Sequence, residues 1–128
     1  MRRFLIMVVL GVFLLGCGRS DGPREKYFSG EPVDHWLEAV KKPDAKVRKK
    51  ATEVLGNVGP IDPRAIPALI EAVKDKDAKV RDVAVLSLSK IGPPAASAEP
   101  ALQEATKDRD QAVRTHAAAA LERVRGTK

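Results

Sequence analysis

The sequence predicts an all-α fold, a superhelix of three helix pairs, and three observations predict it. The 128-residue chain matches itself at an offset of 33 residues. Within each copy, apolar residues recur at helical spacing. Asp, Pro and Gly then stand at the ends of the segments so defined. At this offset Asp44, Asp77 and Asp110 align, as do Val47, Val80 and Val113, and Arg48, Arg81 and Arg114. Ala51, Ala84, Ala117 and Leu55, Leu88, Leu121 follow, with Glu38, Glu71, Glu104 upstream. Units of this length bury their apolar faces only against one another, so about three are needed for stability. The three here span about residues 32–60, 64–93 and 98–126.

The elements begin with an address segment. Arg2 and Arg3 precede the uncharged run Phe4–Leu15, then Gly16 and Cys17. A bilayer core takes about 20 apolar residues, so this run is too short to span one. Positive residues, an apolar stretch and a small residue are the order of a secretory signal peptide, here residues 1–16. Leu14-Leu15-Gly16-Cys17 also resembles the lipobox of bacterial lipoproteins. That resemblance implies diacylglyceryl transfer to the Cys17 thiol, cleavage before it and acylation of the new amino terminus. Each buried acyl CH₂ adds about 0.8 kcal/mol, enough for stable anchoring in the cell envelope. Gly18, where an Asp favours inner-membrane retention, implies the outer membrane facing the periplasm in a two-membrane cell. Residues 17–31 then read as the lipidated cysteine and a flexible tether, with Gly18, Gly22, Pro23 and Gly30. Tyr27 and Phe28 are expected to pack on the first helix.

Each unit reads as a short helix followed by a longer one. The short helices are expected at about Val33–Lys41, Arg64–Lys74 and Ala98–Lys107, with Pro32, Pro67 and Pro100 near their starts, where a missing N–H matters least. In the first long helix Val47, Ala51, Leu55 and Val58 form one amphipathic face, and Asp44 suits the free N–H groups of its first turn. Gly56 and Gly59 with Pro60, and Gly92 with Pro93-Pro94, read as stops. In the last unit Glu99 and Gln103 replace the apolar Val33/Ile66 and Leu37/Ile70, the polar outer face that a terminal unit needs.

Asp44-Ala-Lys-Val-Arg48, Asp77-Ala-Lys-Val-Arg81 and Asp110-Gln-Ala-Val-Arg114, each leading into an alanine-rich helix, resemble the HEAT repeat in its short phycobilisome-lyase-like form. The resemblance implies an arginine–aspartate ladder between units, built from Arg48, Arg81 and Arg114 with Asp75 and Asp108. Lys42 stands where the first unit's aspartate belongs.

The composition narrows the chemistry. One cysteine excludes an intrachain disulfide and a multi-cysteine zinc site, and two histidines, His35 and His116, offer no metal site. No cofactor is expected. No phosphate-binding glycine loop, nucleophile elbow or HExxH motif occurs, and His116 has no nucleophile beside it in sequence. The chain is therefore read as non-catalytic. The net charge of +6 falls to +4 when Arg2 and Arg3 leave with the signal peptide. Lys41, Lys42, Lys46, Arg48, Lys49 and Lys50 concentrate positive charge in the first unit, but an exported address speaks against nucleic acid.

Binding is the function left. On the exposed side of the long helices, Val83 and Leu86 are apolar amid Lys46, Lys50, Lys79 and Lys90, with His116 alongside. Apolar residues rimmed by positive charge suit a protein partner with an acidic surface. The expected protein is a monomeric scaffold tethered to the membrane by its lipid. Two other readings are a phycobilin-lyase-like enzyme or subunit and a nucleic-acid-binding repeat domain.

Overall fold

A computed structural model describes residues 27–127. The residues read as signal peptide, Cys17 and most of those read as tether lie outside the described residues. A hairpin, β1 (Tyr27–Phe28) and β2 (Glu31–Pro32), leads into six α-helices: α1 (Val33–Ala39), α2 (Ala45–Val58), α3 (Ala65–Ala72), α4 (Ala78–Ile91), α5 (Glu99–Ala105) and α6 (Gln111–Arg125). A 3₁₀ segment, Pro93–Ala98, joins α4 to α5. The helices form three pairs, with α2, α4 and α6 packed side by side in that order.

Each long helix starts where its aspartate stops the preceding turn. Asp44, Asp77 and Asp110 are N-caps in extended conformation, and each carboxylate accepts from the N–H two residues on, at 2.7–2.9 Å. Such a cap satisfies a donor the helix cannot, and is worth about 1 kcal/mol. The core is a row of repeated residues: Leu55, Leu88, Ala51, Ala84, Ala117, Val80 and Val113 are completely buried. Leu69 and Leu102 close it from the short helices. Burial of such side chains supplies roughly 1.5–3 kcal/mol each against chain entropy.

Three expectations change. The residues read as tether up to 31 include the hairpin: Ser29 and Gly30 both have positive φ (54° and 85°), as a two-residue type I′ turn requires. The Phe28 carbonyl accepts from Trp36 Nε1 at 2.9 Å, and the Phe28 ring is half-buried against the core. Val47 is 40% exposed although Val80 and Val113 are fully buried, because among the described residues no earlier unit covers it. Gly56 lies inside α2 and does not end it. A Cβ there would meet the Ser87 side chain, with Ser87 Cβ only 2.7 Å away, so this glycine lets α2 and α4 approach. Gly59 does end α2, but in right-handed conformation, and a Cβ there would strike Ile91.

Candidate functional site

Two surfaces carry the residues singled out by sequence. The first is the loop edge of the stack, where each short helix turns into its long one. Arg48 Nε and Nη2 donate to Asp75 Oδ2 and Oδ1 at 2.7 and 2.9 Å. Arg81 repeats this with Asp108, at 2.8 Å for both bonds. Meanwhile Nη1 of each arginine reaches back to its own unit's turn: Arg48 to the carbonyls of Lys42 (3.0 Å) and Pro43 (2.6 Å), Arg81 to those of Asp75 (2.8 Å) and Lys76 (3.2 Å). Asp75 Oδ1 also accepts from the N–H of Asp77, and Asp108 Oδ1 from that of Asp110. Each rung thus ties a unit's turn, its guanidinium and the next unit's helix start into one network.

The electrostatics follow from this geometry. Burial opposes ionisation of Asp75 and Asp108. The facing arginine's hydrogen bonds, the backbone N–H two residues on and the nearby positive charges outweigh it, holding both carboxyls below the usual carboxylate range. Arg48 and Arg81 are raised in turn, chiefly by the hydrogen bond to the facing aspartate, against burial. With the arginines 5% exposed, a planar bidentate fork is the geometry in which such a charge survives burial. The burial also removes Arg48 from the basic surface expected of the first unit. Lys41 pairs with Glu38 at 3.0 Å and Lys49 with Glu53 at 3.6 Å, which leaves Lys42, Lys46 and Lys50 as its exposed lysines without an ion pair among the described residues.

The second surface is the outer face of α2, α4 and α6. Leu86 is 45% exposed and Val83 half-buried. Leu86 stands between two shallow clefts. One, of about 350 Å³, is lined by Glu53, Gly56, Asn57, Val83, Ser87 and Lys90; the other, of about 300 Å³, by Ser89, Lys90, His116, Ala119 and Arg123. Val83 continues into a third, of about 280 Å³, with Lys49, Lys79, Asp82 and Ala112. Two polar pairs cross the face between units: Lys90 Nζ to Asn57 Oδ1 at 2.6 Å, and His116 Nδ1 with Asp82 Oδ1 at 2.5 Å. His116 is therefore held by the preceding unit's aspartate.

A profile of HEAT repeats matches residues 33–122. The chain belongs to the HEAT-repeat family. No curated protein sequence matches it. Among solved structures it is similar to a designed armadillo repeat protein in complex with the peptide (KR)4, with TM-score 0.62 and 19% identity over 72% of this chain and 46% of that one. It is similar also to an engineered protein, with TM-score 0.58 and 23% identity over 73% of this chain and 45% of that one. The chain thus spans just under half the length of either neighbour. At these identities the likeness is one of fold.

Within this HEAT stack the sequence-derived residues divide cleanly. Arg48, Asp75, Arg81 and Asp108 come together on the loop edge. Val83, Leu86, Lys79, Lys90 and His116 come together on the long-helix face, with Lys46 and Lys50 exposed at its α2 end. Arg114 joins neither set: among the described residues its guanidinium meets only its own turn, at the carbonyls of Asp108 and Arg109. Sequence reasoning missed Glu99–Arg125, a 2.6 Å pair that joins the last two helices where earlier units use Val33 and Ile66. The polar Glu99 in an apolar register was the signal available. Among the described residues no cluster of His, Cys, Asp and Glu has the arrangement of a metal site, and no helix is long and apolar enough to cross a membrane.

Proposed function

We propose that this protein is a non-catalytic docking module, tethered to the cell-envelope membrane through lipid on Cys17, whose long-helix face takes an acidic, amphipathic protein segment. HEAT and armadillo-like repeats commonly serve as protein-interaction scaffolds, and the fold supports that role here. The observation that carries the reading is Leu86, a large apolar side chain left exposed between two clefts while Leu88, two residues on, is fully buried. An exposed leucine in a shaped, partly apolar depression is where an interface places its anchor. Lys90 beside it, Lys79 on the adjoining cleft, and the exposed Lys46 and Lys50 of α2 select negative charge and steer its approach. The designed armadillo repeat protein holds a basic peptide, (KR)4; the lysines of this chain suit a segment of opposite sign.

The anchor rests on residues 14–17, and the expected facing, toward the periplasm from the outer membrane, rests on Gly18. Chemical crosslinking in intact membranes, followed by pull-down, tests the docking face. Val83→Asp/Leu86→Asp is expected to lose the partners that wild type captures, and an unchanged partner set would place the interface elsewhere. Radiolabelled fatty acid is expected to enter wild type and not Cys17→Ser; equal labelling would remove the lipid anchor from the proposal.

A further inference from the structure

The ladder has two closed rungs and one open one. Arg114 occupies the register of Arg48 and Arg81, and its Nη1 makes the same two bonds to its own turn, to the carbonyls of Asp108 (2.8 Å) and Arg109 (3.0 Å). Those bonds orient the guanidinium just as they do in the closed rungs. Its Nε and Nη2, the two atoms that hold Asp75 and Asp108 in the units before, have no partner among the described residues. The geometry points to Arg114 as a carboxylate-docking site at the carboxyl-terminal end of the stack, taking the aspartate of an acidic loop on another protein. It is independent of the long-helix face.

The closed rungs show what fits. Each occupant is the first aspartate of an Asp-x-Asp turn, Asp75-Lys76-Asp77 or Asp108-Arg109-Asp110, whose backbone folds back on its own carboxylate. The fork is already fixed by two carbonyls, so an incoming carboxylate meets a donor pair whose rotamer freedom is already lost. A second copy of this chain is a poor occupant. Its first unit presents Lys42 where the aspartate would stand, so head-to-tail stacking would set an ammonium against Arg114. A stacked apolar helix pair fits poorly too. Leu37 and Ile70, half-buried in the earlier units, become the exposed Gln103, Val33 and Ile66 become Glu99, and the Thr52 and Val85 column shrinks to Ala118. What remains at this end is a polar surface with one preset fork, suited to a loop.

The test is a titration of the full chain in detergent micelles, ¹⁵N-labelled and followed at the arginine Nε–H resonances. The probe is a capped peptide of residues 104–112, which carries the Asp108-Arg109-Asp110 turn. The Arg114 resonance is expected to move toward the positions of Arg48 and Arg81, which report occupied rungs. A peptide with Asp108→Asn should bind at least about tenfold more weakly, the scale of one charge-assisted hydrogen bond, whereas a charge-matched Glu104→Gln peptide should bind like the parent. Arg114→Lys in the protein, which keeps the charge and loses the fork, should weaken the parent peptide by a similar factor. The proposal is overturned if the Arg114 resonance stays still, if the Asn peptide moves it equally, or if only Arg123 on the long-helix face responds.

Discussion

Along the loop edge, Arg48 and Arg81 are buried, each bound to four acceptors, and spaced by the 33-residue period. Across the long-helix face, Val83, Leu86 and Lys90 are shared by no other unit: the same register holds Lys50 and His116, Glu53 and Ala119, Asn57 and Arg123. The two regions are built from the same helices and differ in what repetition does for them. A residue that joins one unit to the next has the same task at both junctions and so recurs. A residue that meets something outside the stack has its task once. In a solenoid this small, periodic charge paired between units marks cohesion, and aperiodic apolar exposure on the long-helix face marks a docking surface.

The largest effect expected of this contrast is at the ladder. Arg81→Ala leaves the Asp108 carboxylate without its guanidinium and two turn carbonyls without their side-chain donor, and should cost about 3–5 kcal/mol in urea unfolding of the full chain. A loss below 1 kcal/mol would show that the edge does not hold the stack. Next is a pair two residues apart on α4. Leu88→Ala should cost about 2–5 kcal/mol from a fully buried site, and Leu86→Ala no more than about 0.5 kcal/mol. Equal losses would erase the distinction between core and face.

A smaller effect is expected at the close approach of α2 and α4. Gly56→Ala gains helix propensity, about 1 kcal/mol at most, but overpacks against Ser87 at about 1–3 kcal/mol, so the net should be a loss. Ser87→Gly in the same chain removes the obstructing atoms and should recover most of it; no recovery would place the strain elsewhere. The mildest perturbation is acid. Asp75 and Asp108 titrate lower folded than unfolded, so their contribution is complete above the unfolded value and is lost as pH falls through the folded one. Stability should decline below roughly pH 4, and Asp75→Asn/Asp108→Asn, though less stable at neutral pH, should show a flatter acid limb.

What the sequence made legible follows the same division. The helix pairs and the N-cap aspartates were readable because each recurs in register, and the ladder partners through the resemblance to the HEAT repeat. Val47 misled because its column is buried in the other two units, and only position at the end of the described stack exposes it. Gly56 looked like punctuation, since nothing local reveals that Ser87 lies against it. The pairing of His116 with Asp82 depends on how two helices from different units are offset, which periodicity alone does not specify. The Ser29–Gly30 turn sat in a stretch whose glycines read as tether.

The most direct test is thermal unfolding of the full chain carrying either Leu86→Asp or Arg81→Gln, each scored also for crosslinked partners. Leu86→Asp should melt within about 2 °C of wild type and lose its partners. Arg81→Gln should melt many degrees lower. If Leu86→Asp instead unfolds as early as Arg81→Gln, or keeps every partner, the aperiodic face belongs to the core or is idle, and the division of labour between the two surfaces is wrong.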